Sequence, residues 1–237
     1  MKNQYFGDTR DLFKYDLILE LIAKNRFLRR FTFVPMLTEN QRNLHGRRTN
    51  YDLARAGTRR KGLNYFLAKC VMEGRRNITE LEGFFKSFKS SRTTEFVIYR
   101  KSEYFSHETR TEYFNGIKGQ LLARSAILVD LDIGLEVKSM ARREENYITY
   151  GEVELLFNRM DKNSVLIVFQ FIPRVERKSY LSKIGRRLKK AVNSTVLYIS
   201  DNQIAFFMLT KNRNVQKQVA NTISGYGKAY DLTIGKV

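Results

Sequence analysis

The apolar run Ala126-Ile127-Leu128-Val129 breaks off at two carboxylates, Asp130 and Asp132, followed by Gly134, Glu136 and Lys138. A short apolar run without alternation reads as a strand buried on both faces, as in parallel sheets covered by helices. The run Ser164 to Phe169 repeats the pattern and closes on Gln170-Phe171-Ile172-Pro173-Arg174. An earlier strand falls at Phe31 to Leu37. There Pro35 ends the strand or confines it to an edge, because proline has no N–H to give a ladder. Thr94 to Arg100 is a further strand of β-favouring residues.

Helical spacing fills the intervals. Asp8 is placed as the N-cap of a helix reaching about residue 24, with Asp11 at its third position and Leu12, Tyr15, Leu19 and Ile22 on its core face. On that spacing Asp11, Lys14 and Tyr15 are surface neighbours, and a solvated ion pair is expected. Residues 63–90 read as two helices parted near Gly74, the second carrying the stripe Ile78, Leu81, Phe84, Phe85 and Phe88. Further helices are expected over Glu103 to Leu122 (loosened by Gly116 and Gly119), 151–160 and 175–192. Thr195–Ile199 and Ile204–Leu209, joined by Ser200-Asp201-Asn202-Gln203, form a hairpin; a helix to about Ser224 and a strand over Ala229–Ile234 end the chain. This alternation predicts an α/β, Rossmann-like fold: a mostly parallel sheet flanked by helices, with a C-terminal antiparallel hairpin. It is expected as a single domain over residues 1–237, with room for a basic helical insertion at about 40–92.

Charge changes the picture more than composition does. There are 43 Lys and Arg against 24 Asp and Glu, a net charge of +19. Such a field predicts a polyanionic partner, with nucleic acid first and DNA expected. Between Arg42 and Lys61 lie seven basic residues, including Arg47 and Arg48, and a single acid, Asp52, with Tyr51 and Tyr65 flanking. Arginines can grip phosphates and tyrosines can stack on bases. Residues 175–192 form a second basic segment. No apolar run reaches the roughly 20 residues a spanning helix needs, so no membrane partner is expected. With no apolar leader and one cysteine, Cys70, the chain is expected to be cytoplasmic and without disulfides. The two histidines exclude a His-rich metal site, though not a carboxylate-bound Mg²⁺.

In open sheets, ligands sit beyond the carboxyl ends of the strands. Asp130, Asp132, Glu136 and Lys138 are therefore the candidate catalytic residues. Gln170 and Arg174, at the end of a second apolar strand, should lie near Asp130. Candidate substrate contacts are Asp8, Asp11, Lys14, Arg42, Arg47, Arg48, Tyr147, Tyr150, Gln170 and Arg174. The loop Thr38 to Asn50 lacks the Gly-x-Gly of a nucleotide cradle, so no cofactor is expected from the residues.

Tyr5-Phe6-Gly7-Asp8-Thr9-Arg10-Asp11-Leu12-Phe13-Lys14-Tyr15, Met36-Leu37-Thr38, Gly46-Arg47-Arg48-Thr49, Asp130-Leu131-Asp132-Ile133-Gly134-Leu135-Glu136 and Gln170-Phe171-Ile172-Pro173-Arg174 resemble an uncharacterised bacterial family. That family has a Phe-x-Asp-x-x-Asp-x-x-Lys-Tyr opening and an Asp-Pro-Asp-x-Gly-Leu-Glu centre. It is in turn distantly similar to the S-adenosylmethionine-dependent ribosomal RNA adenine methyltransferases. Their Asp-Pro-Pro-Tyr turn would fall on Asp130-Leu131-Asp132-Ile133, which has neither proline nor the base-stacking aromatic. The resemblance implies an inherited scaffold with different chemistry.

The expected function is a hydrolase acting on nucleic acid, first a DNA glycosylase excising a modified or damaged base through an active-site carboxylate. Tyr147, Tyr150 or Phe171 would line its base pocket. A Mg²⁺-dependent nuclease would use Asp130, Asp132 and Glu136 as ligands, with Lys138 on the transferring phosphate. A divergent S-adenosylmethionine-dependent methyltransferase and a non-catalytic nucleic-acid-binding protein are the other readings. Repair of damaged DNA or defence against foreign DNA is the expected setting.

Overall fold

A computed structural model of the chain describes residues 1–41, 60–87, 94–137, 140 and 144–237. Arg42, Arg47, Arg48, Lys138 and most of the 42–61 basic cluster lie outside the described residues.

The first helix, α1 (Thr9–Lys24), begins where the sequence places it: Asp8 Oδ1 accepts from the backbone N–H groups of Arg10 and Asp11. Gly7 takes φ 81° just before the cap, a backbone conformation glycine adopts without strain, and its N–H donates to Asp11 Oδ2 at 2.9 Å. More of α1 is buried than one stripe would require. Phe13, Tyr15, Leu17, Ile18, Leu19 and Leu21 are all enclosed, so the helix is wrapped by neighbours on several sides.

The chain then builds strands β1 (Arg30–Pro35), β2 (Glu95–Ile98) and β3 (Ser125–Asp130), with helices α2 (Lys61–Met72) and α3 (Glu80–Ser87) between the first two and α4 (Arg110–Asn115) before the third. The short pair β4 (Gly134–Leu135) and β5 (Tyr147–Ile148) precedes α5 (Tyr150–Arg159) and β6 (Val165–Phe171). Helix α6 (Arg177–Val192), strands β7 (Val196–Ser200) and β8 (Ile204–Leu209), helix α7 (Arg213–Tyr230) and strand β9 (Thr233–Lys236) complete the fold.

The central sheet has seven strands in the order β2-β1-β3-β6-β8-β7-β9. The first four are parallel, and β8 joins β6 antiparallel, as the expected fold class requires. The hairpin β7–β8 is antiparallel, and β9 closes the edge antiparallel to β7. Every residue of β3 is buried, which explains why its sequence runs apolar without alternation. Helix α1 covers one face together with α7, through Phe13 stacked on Tyr226 and Asn25 bonded to Thr222. Helices α5 and α6 pack together. Tyr180 of α6 meets Gln170 of β6 on the opposite face.

Two expectations need correction. The helix placed over Glu103–Leu122 shrinks to Arg110–Asn115 followed by a 3₁₀ turn at Gly119–Leu122, in keeping with the two glycines that interrupt it. Helix α7 runs on to Tyr230, because Ile223, Tyr226 and Gly227 keep its buried face going past Ser224, and β9 starts only at Thr233. Pro35 ends β1, the first of the two outcomes expected of it, and the strand is interior, paired with β2 on one side and β3 on the other.

Candidate functional site: an acid cleft at the switch point of the sheet

From β1 the chain moves outward to β2; from β3, on the other side of β1, it moves the opposite way to β6. The β1/β3 boundary is thus where the strand order reverses, and ligands of open α/β sheets bind at the carboxyl ends flanking such a point. Register pairs Pro35 with Asp130, and Met36 N–H donates to the Asp130 carbonyl at 2.8 Å, so the two strand ends leave the sheet together.

Asp130 points to the α1 face, where Lys14 Nζ donates to its Oδ2 at 2.7 Å and to Asp11 Oδ1 at 2.8 Å. All three groups are at most 5% exposed. The solvated pair expected from spacing is therefore a buried bridge from α1 to β3. The spacing could not show this, because the third member lies far along the chain. Burial pushes the Asp130 carboxyl up against the opposing pull of Lys14. For Lys14, burial is outweighed by Asp11 and Asp130, and its ammonium is held more firmly than usual.

Asp132 lines the same crevice and is less buried than Asp130. Lys2 Nζ donates to its Oδ2, and the Thr38 hydroxyl lies 2.9 Å from the same oxygen. Lys2 also reaches the Thr38 hydroxyl at 2.7 Å, and the Met1 amine stands 3.4 Å from Oδ1. Burial works to raise this carboxyl, but the Met1 amine, Lys2 and Thr38 outweigh it and hold it below its usual range. Asp8 behaves oppositely. Burial, then the neighbouring Asp11, pushes its carboxyl up to about 7. Asp8, Arg10, Asp11, Lys14, Asp130 and Asp132 share one cleft of about 60 Å³. Phe169 of β6 closes its side, with Lys14 5.5 Å from the ring.

Deeper in, the Tyr15 hydroxyl is fully buried and has no hydrogen-bond partner among the described residues. Asp11 and Asp130 add to burial in raising its pKa well above the ordinary value.

Other expected residues go elsewhere. Gln170 lies one position past Phe169 and so faces the opposite side of the sheet from Asp130. Its Oε1 accepts from Leu135 N–H at 2.9 Å, and its Nε2 donates to the Phe171 carbonyl and the Tyr180 hydroxyl. It fastens the β4–β5 pair to the sheet instead of facing the acids. Glu136 Oε1 accepts from Tyr150 N–H at 2.9 Å, anchoring the start of α5. Tyr147 lends its carbonyl to Arg110, which also grips both oxygens of Glu152. Tyr150 meets Arg187 on α6. Arg174 lines a second, larger cavity of about 750 Å³, and Arg10 lies in the walls of both.

Lys2 and Arg10 line the cleft, Thr38 holds Asp132 from behind its wall, and sequence reasoning singles out none of the three as a site residue. Their signal was weak: an isolated lysine near the start, one arginine in a helix opening, and a threonine after a strand.

No protein-family model, curated protein or solved structure matches this chain. No helix among the described residues is long and apolar enough to cross a membrane.

Proposed function

We propose that the chain is a hydrolase acting on nucleic acid, releasing a base by cleaving its N-glycosidic bond. The observation that carries this reading is the pairing, in one cleft at the switch point, of a carboxyl that titrates near neutrality, Asp8, with the buried carboxylate Asp130. Glycoside cleavage needs an acid to protonate the leaving group and a carboxylate to steady positive charge or activate water. In this scheme Asp8 gives its proton to the base nitrogen as the C1′–N bond breaks and the bond's electron pair stays on the base. Water adds to C1′, and its proton passes to Asp130. Proton exchange through solvent restores both groups, and the net reaction is glycoside plus water giving free base and a C1′ hydroxyl. The cleft takes water and not a ring. The base therefore lies over its mouth, on the side where Arg10 joins the larger cavity. The polyanion reading has its own support: Lys183, Arg186, Lys189 and Lys190 are exposed on α6 and take part in none of the ion pairs among the described residues.

The competing chemistries fit less well. A Mg²⁺ site would recruit Glu136 to Asp130 and Asp132, yet Glu136 is bonded to the α5 backbone and the two aspartates already hold lysines. A nucleoside cofactor would enter where the Thr38 N–H donates to the Met1 carbonyl at 2.8 Å.

The test is incubation with DNA and RNA carrying modified and normal bases, in EDTA and without added cofactor, followed by assay for free base. The expected result is base release that Asp130→Asn abolishes while leaving nucleic-acid binding intact. Strand breaks that require Mg²⁺, or unchanged turnover in Asp130→Asn, would overturn the reading.

A further inference from the structure

We infer that the 750 Å³ cavity beside the acid cleft is a nucleotide subsite, holding a phosphate on Arg174, Arg177 and Lys178 and a base against Phe171. The inference deepens the nucleic-acid reading and rests on it for the class of ligand, but not on any hydrolytic step.

The cavity opens at the end of the sheet where β6 finishes. The β7–β8 turn lies at that end too, because β7 runs parallel to β6. Its volume falls in the range of small-molecule sites, roughly 300 to 1,000 Å³. Four cations line it: Arg10, Arg174, Arg177 and Lys178. One carboxylate is present, Glu176, and it is already engaged as the N-cap of α6, accepting from Lys178 N–H at 2.9 Å and Ser179 N–H at 2.6 Å. The hydrogen bonds to the α6 backbone hold Glu176 ionised, below its usual range. Four cations against this one carboxylate leave the wall with an excess of positive charge. Arg174 and Lys178 are exposed and make no ion pair among the described residues. Arg177 is already oriented, donating to the Asp201 carbonyl and to Asn202 Oδ1.

The apolar side matches a base. Phe171 presents its ring to the cavity, and the Arg10 guanidinium lies 5.3 Å from the ring centroid. A planar cation over an aromatic ring marks a face on which a base can stack in place of the guanidinium. Arg10 Nε holds Gln203 Oε1 at 3.4 Å, a long contact that can be exchanged for a ligand acceptor. Arg10 also lines the acid cleft, so a base seated on Phe171 lies next to Asp8 and its neighbours.

The experiment is calorimetric titration of the full chain with thymidine 5′-monophosphate, inorganic phosphate, thymidine and a four-residue oligothymidylate. Each probe is used with wild type, Arg174→Ala/Lys178→Ala and Lys162→Ala. The mononucleotide or the oligomer should bind more tightly than phosphate or thymidine alone. Binding should weaken about tenfold or more in the double variant, which loses two charge-assisted phosphate contacts, and stay unchanged in Lys162→Ala, whose exposed side chain lies before the start of β6, at the other end of the sheet. Binding of the mononucleotide assigns a free nucleotide; binding of the oligomer alone assigns a unit within a strand. Equal affinity in the double variant and wild type, or no preference for the nucleotide over its parts, overturns the subsite. Because no turnover is measured, a failed hydrolysis assay leaves this result standing, and a failed titration leaves base release to its own assay.

Discussion

Lys14 Nζ lies 2.7 Å from Asp130 Oδ2 and joins α1 to the end of β3 across 116 positions of sequence. Both side chains are buried, and Lys14 serves Asp11 as well. Replacing it with methionine fills the space but leaves two carboxylates without their cation, a change that typically costs about 3–5 kcal/mol. The cost should depend on pH. Lys14 is what opposes the burial-driven rise of the Asp130 carboxyl, so in Lys14→Met that carboxyl rises further. An acid whose folded value is raised is stabilised below its unfolded value and loses that stability as pH rises through the folded one. Urea unfolding should therefore show a smaller deficit for Lys14→Met at pH 5 than at pH 8. Equal deficits would mean that Lys14 does not control Asp130.

Asp132 is shifted the other way, held below its ordinary value of 3.8 by the Met1 amine, Lys2 and Thr38 against the effect of burial. Its contribution is therefore present above the unfolded value and is lost as pH falls through the folded one. Asp132→Asn removes the charge but keeps the size. At pH 7 it should cost roughly 1–3 kcal/mol, the range for breaking a charged hydrogen bond. As pH falls from 3.8 through the lower folded value, the variant and wild type should converge. Denaturant midpoints from pH 2.5 to 7 measure both effects.

Gly134 has φ 151°, and a Cβ placed there would come within 2.3 Å of the Gln170 amide. That amide is fixed by three hydrogen bonds and cannot retreat without breaking them. Gly134→Ala should destabilise by about 2 kcal/mol or more through combined backbone strain and overpacking. Thermal unfolding provides the check, and a variant as stable as wild type would show that the β4–β6 contact is loose.

Tyr15 offers a cleaner separation of folding from function. Its hydroxyl is buried without a partner among the described residues, an arrangement that costs stability. Tyr15→Phe should fold with equal or greater stability, since it removes an unsatisfied polar atom and keeps the ring. If the hydroxyl meets a substrate or water during turnover, base release falls while the unfolding midpoint holds or rises. A clear loss of stability would instead reveal a hydrogen bond to a water inside the core.

The strands and the order of elements were legible because burial on both faces leaves an unmistakable apolar run, as in β3 and β6. The Asp8 cap was equally plain, since capping is local. Three other features of the site were not. The strand end after β6 was expected to face Asp130, but the side-chain period of two turns Gln170 away and brings Phe169 forward, and the strand runs through Gln170 to Phe171 instead of stopping at Phe169. Glu136 sits close to Asp130 and Asp132 in sequence, yet the β4–β5 pair carries it to the start of α5. Lys2 and Thr38 reach Asp132 only because β1 and β3 are neighbours, a pairing that no local pattern encodes.

Asp8 provides the sharpest test of the chemistry. Its carboxyl stands at about 7 in the folded protein against an ordinary value of 3.8, through burial and then Asp11. Folding therefore favours the protonated form. Stability contributed by that proton is fully present below pH 3.8 and is lost as pH rises through 7. Asp8→Asn keeps an oxygen to cap α1, since asparagine caps as well as aspartate does. The variant should match wild type near pH 4 and exceed it by roughly a few kcal/mol at pH 8, where wild type must hold a buried charge beside Asp11. Base release should show the converse. If Asp8 is the acid, kcat/KM of wild type falls above pH 7 with an apparent pKa near that value, and Asp8→Asn loses turnover at every pH despite its added stability. A stable, fully active Asp8→Asn with the same pH profile would remove Asp8 from the reaction and leave it as a helix cap.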